Sequence, residues 1–143
     1  MRKNKLLYLA MGVAGVGLVD SLYLSWIKLA HAVCAGIGDC DVVNTSAYSE
    51  IYGIPIALLG AGCYIAILLL LGLDLRGGRW QEVSPLAVFG FSLAGVLYSL
   101  YLTWIEVAVL KATCPYCVLS AVALVVLLIL SIIRLRAAEK ESE

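Results

Sequence analysis

The amino-acid sequence predicts an all-α fold, an integral membrane four-helix bundle with both termini in the cytoplasm. Three observations lead there. Of 143 residues 63% are hydrophobic and only 14% charged, with a mean hydropathy of +1.00, more apolar surface than a soluble domain of this size can bury. The apolar residues gather into four stretches that approach the ~20 residues needed to cross ~30 Å of hydrocarbon. The basic residues are segregated between the segments that flank those stretches.

The first stretch, about residues 6–29, follows Arg2, Lys3 and Lys5. Its basic start and Ala30-His31-Ala32 resemble a cleaved signal. Its length and the included Asp20 are poor for one, so a retained span is expected. The polar loop over about 30–53 carries turn chemistry in Gly36, Gly38, Asp39, Asp41 and Asn44. Ser46 and Glu50 stand near capping-box spacing for a short helix. Gly53-Ile54-Pro55 opens a second span over about 54–73, since proline is tolerated in a first turn. Leu75 to Arg79 forms a short turn, and Ser84-Pro85 starts a third span, about 86–110. The fourth, about 117–133, is short enough to begin in the interface, and the charged tail after it is expected to fray or to extend the helix loosely. With no internal repeat, residues 1–143 read as a single membrane domain.

Eight of the ten basic residues (Arg2, Lys3, Lys5, Arg76, Arg79, Arg134, Arg136 and Lys140) fall in segments that share one side of a four-span protein; Lys28 and Lys111 fall on the other. The positive-inside rule assigns the rich side to the cytoplasm. Cys34, Cys40, Cys114 and Cys117 then face the periplasm or cell exterior, where disulfides persist. The expected location is the inner or plasma membrane, with lipid as surroundings and no nucleic-acid partner.

Cys114-Pro115-Tyr116-Cys117 is a thiol–disulfide exchange module at a helix start. Its spacing places both sulfurs on one face and within disulfide reach. Free N–H groups there stabilise a thiolate, and Pro115 removes a donor that would lack a partner. Cys34 and Cys40 close a short, glycine-containing loop. Alone, that spacing suits a structural bridge as well as a mobile dithiol; a second dithiol on the same membrane face favours a relay. Oxidising a dithiol releases two electrons and two protons, and no haem-attachment, Rossmann or P-loop motif offers a soluble acceptor a home. A four-helix bundle could instead pocket an isoprenoid quinone.

These residues also carry a resemblance. Asp20-Ser21 with Tyr23-Leu24, then Cys34 and Cys40, Ser46, Gly53-Ile54-Pro55, Leu59-Gly60, Ser99-Leu100-Tyr101-Leu102 and Cys114-Pro115-Tyr116-Cys117 together resemble the vitamin K epoxide reductase family, in order from about Gly15 to Ala121. The resemblance implies a prokaryotic four-helix core that oxidises thiols and reduces a quinone of the menaquinone (vitamin K) or ubiquinone type, without a metal. A separate thioredoxin-fold, DsbA-like thiol oxidase is its implied partner, and disulfide formation its implied purpose. By position, Cys117 would face the quinone, Cys114 would exchange with Cys40, and Cys34 with the external partner. Ser46 would help to orient the quinone. Ala121 departs from the animal enzymes, which have a tyrosine there, and Ile56 falls near their asparagine; both departures bear on epoxide chemistry rather than on thiol–quinone exchange.

Other polar residues have plainer expectations. Asp20 should point inward and be protonated or hydrogen-bonded, with Ser21, Ser99 or a tyrosine on another span to satisfy it. Glu106 is expected to reach water at the outer end of the third span. Cys63 should pack as a small hydrophobe, and Tyr23, Tyr64, Tyr98 and Tyr101 should line the bundle. The competing function is a soft-metal binding or transport protein using the same cysteines; an inert four-span scaffold with two static outer disulfides is the other.

Overall fold

A computed structural model describes residues 2–30, 32, 42 and 46–143. Four long helices carry the chain: α1 (Arg2–Ala30), α2 (Ile56–Arg76), α3 (Trp80–Ile105) and α4 (Pro115–Ser142). All four are long and apolar enough to span a membrane, α3 together with the turn that continues it to Leu110. Consecutive helices pack side by side and α4 closes the ring against α1. The ion pair of Lys3 with Glu141, 2.6 Å, puts both termini at one end.

Polarity is distributed as lipid demands. Trp26, Leu69, Leu86, Leu97, Leu100 and Trp104 are exposed on the outside, while Asp20, Ser21, Asp74, Ser92, Glu106 and Arg134 are buried. A hydrocarbon solvent cannot satisfy polar groups, so these turn to the bundle interior. Nearer the termini the interior is a packed apolar core of Leu7, Ala10 and Ala14 from α1, Tyr64, Ile67 and Leu71 from α2, Val88 from α3, and Leu124, Leu127 and Leu130 from α4. Asp74 and Arg134 are both buried and form a salt bridge between α2 and α4 there.

Several boundaries differ from the sequence reading. The third helix begins at Trp80, so Pro85 lies inside it. Proline that early removes only one bond, and the Ser84 hydroxyl donates 3.1 Å to the carbonyl of Leu70 on α2. The fourth helix is not short: it runs from Pro115 through the charged tail, whose alanine, glutamate and lysine are good helix formers. Ser46 and Glu50 do not make a capping box. Ser46 precedes a single 3₁₀ turn, Ala47–Ser49, without a side-chain cap. Glu50 instead opens a two-stranded hairpin, β1 (Glu50–Ile51) with β2 (Ile54–Pro55), in the register Glu50 to Pro55 and Ile51 to Ile54. Tyr52 and Gly53 form its turn, both at positive φ (51° and 79°), as a two-residue primed turn requires. Lys28 at the end of α1 holds this segment down, paired with Glu50 at 3.2 Å and hydrogen-bonded to the Ser49 hydroxyl.

Candidate active site

The half of the bundle away from the termini is hollow. A cavity of about 300 Å³ opens between the four helices and the hairpin segment. Its wall is mainly apolar, from Leu24, Ile51, Ile56, Leu59, Leu102, Ile105 and Leu124, and polar groups break it at a few points: Asp20, Ser46, Ser49, Ser99, Glu106, Cys114 and Cys117. Apolar walls with a few convergent polar groups are the usual form of a small-molecule site.

The dithiol is built at the start of α4. Cys114 is the residue before the helix, in extended conformation (φ −97°, ψ 118°), and Pro115 is the first helical residue. The Cys114 carbonyl accepts from Val118 N–H at 3.2 Å, which starts the helix and brings Cys117 round to the same face. Cys114 is fully buried and Cys117 half-buried, both as free thiols. The Cys114 thiol is held below its ordinary range, first by a hydrogen bond from the Cys117 thiol. Burial and the charge of Glu106 oppose this, while the backbone N–H groups of Cys117 and Tyr116 assist it. Those N–H groups face the sulfur without closing a cap bond of normal geometry; their effect is that of a helix N-terminus on a nearby anion.

Glu106 is the residue that sequence reasoning misplaced. It is buried, because the chain leaves α3 through a π-helical turn, Glu106–Leu110, and reverses at Lys111 in the left-handed conformation (φ 51°, ψ 36°). The Glu106 carbonyl accepts from Lys111 N–H and from Ala112 N–H at 2.9 Å. Its carboxylate, turned inward by this fold-back, accepts from Cys114 N–H at 3.4 Å and from the Cys117 thiol. Spacing alone could not reveal this, since the contact depends on a non-helical reversal; an acidic residue just before an extended Cys-Pro-Tyr-Cys start was the only signal.

Asp20 also differs from expectation. It lines the cavity and is buried, but neither carboxylate oxygen has a hydrogen-bond partner among the described residues. Ser25 on the same helix donates instead to its own backbone, the carbonyl of Ser21, at 2.8 Å. Tyr64 lines the cavity with its hydroxyl bonded to Ser120, 2.9 Å from both the carbonyl and the hydroxyl oxygen. Tyr98 is a second lining tyrosine, while Tyr23 packs on Tyr116 with ring centroids 5.1 Å apart. Cys63 packs against the core and also borders the cavity. Ser46 and Cys117 both line this cavity. Ile56 is in the wall as well. Cys34 and Cys40 lie outside the described residues. Among the described residues no three His, Cys, Asp or Glu side chains group as a set of metal ligands.

A polytopic membrane helix bundle with a reduced cysteine pair at the head of one span, facing an internal apolar chamber, belongs to the class of membrane redox enzymes. The comparison with known families agrees in kind and is more specific. The Vitamin K epoxide reductase family matches over residues 8–132, most of the chain, and the protein is a member of that family.

Proposed function

We propose that this protein is a thiol–quinone oxidoreductase of the cell membrane. Both termini lie in the cytoplasm and the cysteines face the periplasm or exterior, as the distribution of basic residues indicates. Electrons enter from a separate thioredoxin-fold partner through Cys34 and Cys40, pass to Cys114 and Cys117, and leave to a lipid-borne quinone, so that the cycle supports disulfide formation. One observation carries this reading: Cys117 borders an apolar cavity of about 300 Å³, while its partner Cys114 is sealed beside it with no exposed surface.

The residues present suit a quinone ring. Leu24, Ile56, Leu59 and Leu102 offer apolar contact, and Ser46 and Ser99 in the same wall offer hydroxyls to which ring oxygens could hydrogen-bond. When bound, the quinone supplies a two-electron, two-proton acceptor. The chain's own part is to hold Cys117 at the chamber wall, keep Cys114 acidic, exclude water with the apolar lining, and present Ser46 to orient the ring. Cys114, as the more acidic thiol, is the one poised to close the disulfide.

Anaerobic addition of a menaquinone or a ubiquinone analogue to the reduced, purified protein, followed optically, tests this. The expected result is quinone reduction that disappears in Cys117→Ala. In Cys34→Ala, reduction of the quinone by the prereduced protein persists, but transfer from a reduced thioredoxin-fold donor stops. Wild-type turnover in Cys117→Ala would overturn the reading.

A further inference from the structure

We propose that Glu106 is a catalytic residue that takes the proton from the Cys117 thiol. The inference rests on the dithiol chemistry assigned above and names the base which that chemistry lacks.

The Cys117 thiol has two acceptors in place, the Cys114 sulfur and the Glu106 carboxylate. Transfer to Cys114 only exchanges thiol and thiolate, leaving one proton within the pair. Closing a disulfide requires that proton to leave. Among the described residues Glu106 is the carboxylate in contact with the pair, held there at both ends: its carbonyl accepts from the Lys111 and Ala112 N–H groups and its carboxylate from Cys114 N–H. A base acts only within hydrogen-bond reach of the proton it takes, and the π-helical turn provides that reach. Such turns recur at functional sites.

The step balances as follows. The S–H bond of Cys117 breaks and its proton passes to Glu106. An S–S bond forms between Cys114 and Cys117, and the electron pair released goes to the quinone acceptor. Glu106 returns its proton to an oxygen of the reduced acceptor. The second proton comes from water, replacing the one lost when Cys114 ionised.

A purely structural role is also open to Glu106, as a cap on the free N–H of Cys114, and the test separates the two. Glutamine keeps a carbonyl oxygen for that N–H but cannot take a proton. The other ionisable groups around the cavity are Asp20 of α1, Tyr48 beside the hairpin, Cys63 and Tyr64 of α2, and Tyr98 of α3; all are unchanged in the variant. Reduced protein in detergent is alkylated with iodoacetamide over a range of pH, and the rate at Cys117 is read by mass spectrometry. Glu106→Gln removes a negative charge that disfavours the neighbouring thiolate, and is expected to quicken Cys117 alkylation at neutral pH by about tenfold or more, the equivalent of one pKa unit. It is expected to slow quinone reduction by about 10²-fold or more, as loss of a general base does. Glu106→Asp should recover part of both. An unchanged pH–rate profile in Glu106→Gln overturns the proposal. Alkylation needs no quinone, so a wild-type protein that fails to reduce quinone would refute the proposed function and leave this result readable. Should Glu106→Gln not fold, infrared difference spectra of oxidised minus reduced protein in an Asp20→Asn background decide the matter. A carboxyl band that responds to disulfide formation supports the base, and its absence refutes it.

Discussion

Gly17→Ala should destabilise the bundle, because Tyr64 occupies the space a methyl group would take. A Cβ built at Gly17 lies 2.2 Å from Cζ, 2.3 Å from Cε1 and 2.7 Å from the hydroxyl oxygen of Tyr64. Such distances require the ring to move. The ring is only 1% exposed, and its hydroxyl is bonded twice to Ser120, so it has no free direction. Overpacking of this kind costs about 1–3 kcal/mol. Loss of the Ser120 hydrogen bonding adds about 0.5–1.5 kcal/mol, and the better helix propensity of alanine returns about 0.5–1 kcal/mol. The net expectation is a loss of about 0.5–4 kcal/mol on these ranges. Gly12→Ala and Gly15→Ala, on the same helix with nothing within 4 Å of the new methyl, should be neutral or slightly stabilising. Reversible unfolding in mixed micelles measures all three, and Tyr64→Ala completes a double-mutant cycle. If Gly17→Ala costs as much in the Tyr64→Ala background as in the wild type, the close approach of α1 to Tyr64 is not what the glycine serves.

The buried pair of Asp74 and Arg134 should behave as a unit. Arg134→Leu leaves a carboxylate unpaired and should cost about 3–5 kcal/mol, whereas Asp74→Leu with Arg134→Leu should recover most of it; equal losses in the single and double variants would count against the pair. Asp20→Ala removes two carboxylate oxygens that lack a hydrogen-bond partner among the described residues and should raise stability by about 1–3 kcal/mol, measured by thermal unfolding, while a loss of that size would reveal a partner for Asp20. The Cys114 thiol has its folded-state pKa lowered, chiefly by the Cys117 hydrogen bond. Between the folded and unfolded values the folded state binds fewer protons, so this stabilisation is complete above the unfolded thiol value and is lost as pH falls through the folded one. The stability gap between reduced wild type and Cys114→Ser should therefore narrow on acidification, and a gap that widens would contradict the assignment.

Much of this was legible in residue order, for reasons that are local. A run of apolar residues in lipid has only one way to satisfy its backbone, so the four helices follow from hydropathy. Cys114-Pro115-Tyr116-Cys117 marks a helix start by its proline and places two thiols on one face by its spacing. The hairpin at Ile51–Ile54 was missed because a single Tyr-Gly turn between two-residue strands leaves almost no periodicity to read. The ends of α3 and α4 were missed because hydropathy marks where a chain enters lipid, and helices continue past that plane.

Side-chain partnership across the bundle was not legible. Asp20 was expected to be protonated or hydrogen-bonded and faces the cavity with no hydrogen-bond partner among the described residues, while Arg134, counted only among the basic residues of the cytoplasmic side, is buried against Asp74. Glu106 was expected in water and is instead buried against the Cys114 N–H and the Cys117 thiol. Composition and spacing by themselves determined the membrane class, the number of spans and the dithiol at a helix start, because each depends on neighbours along the chain. Only tertiary structure decided what surrounds that dithiol, because a reversal at Lys111 and the crossing of four helices bring together residues whose distance no linear pattern encodes.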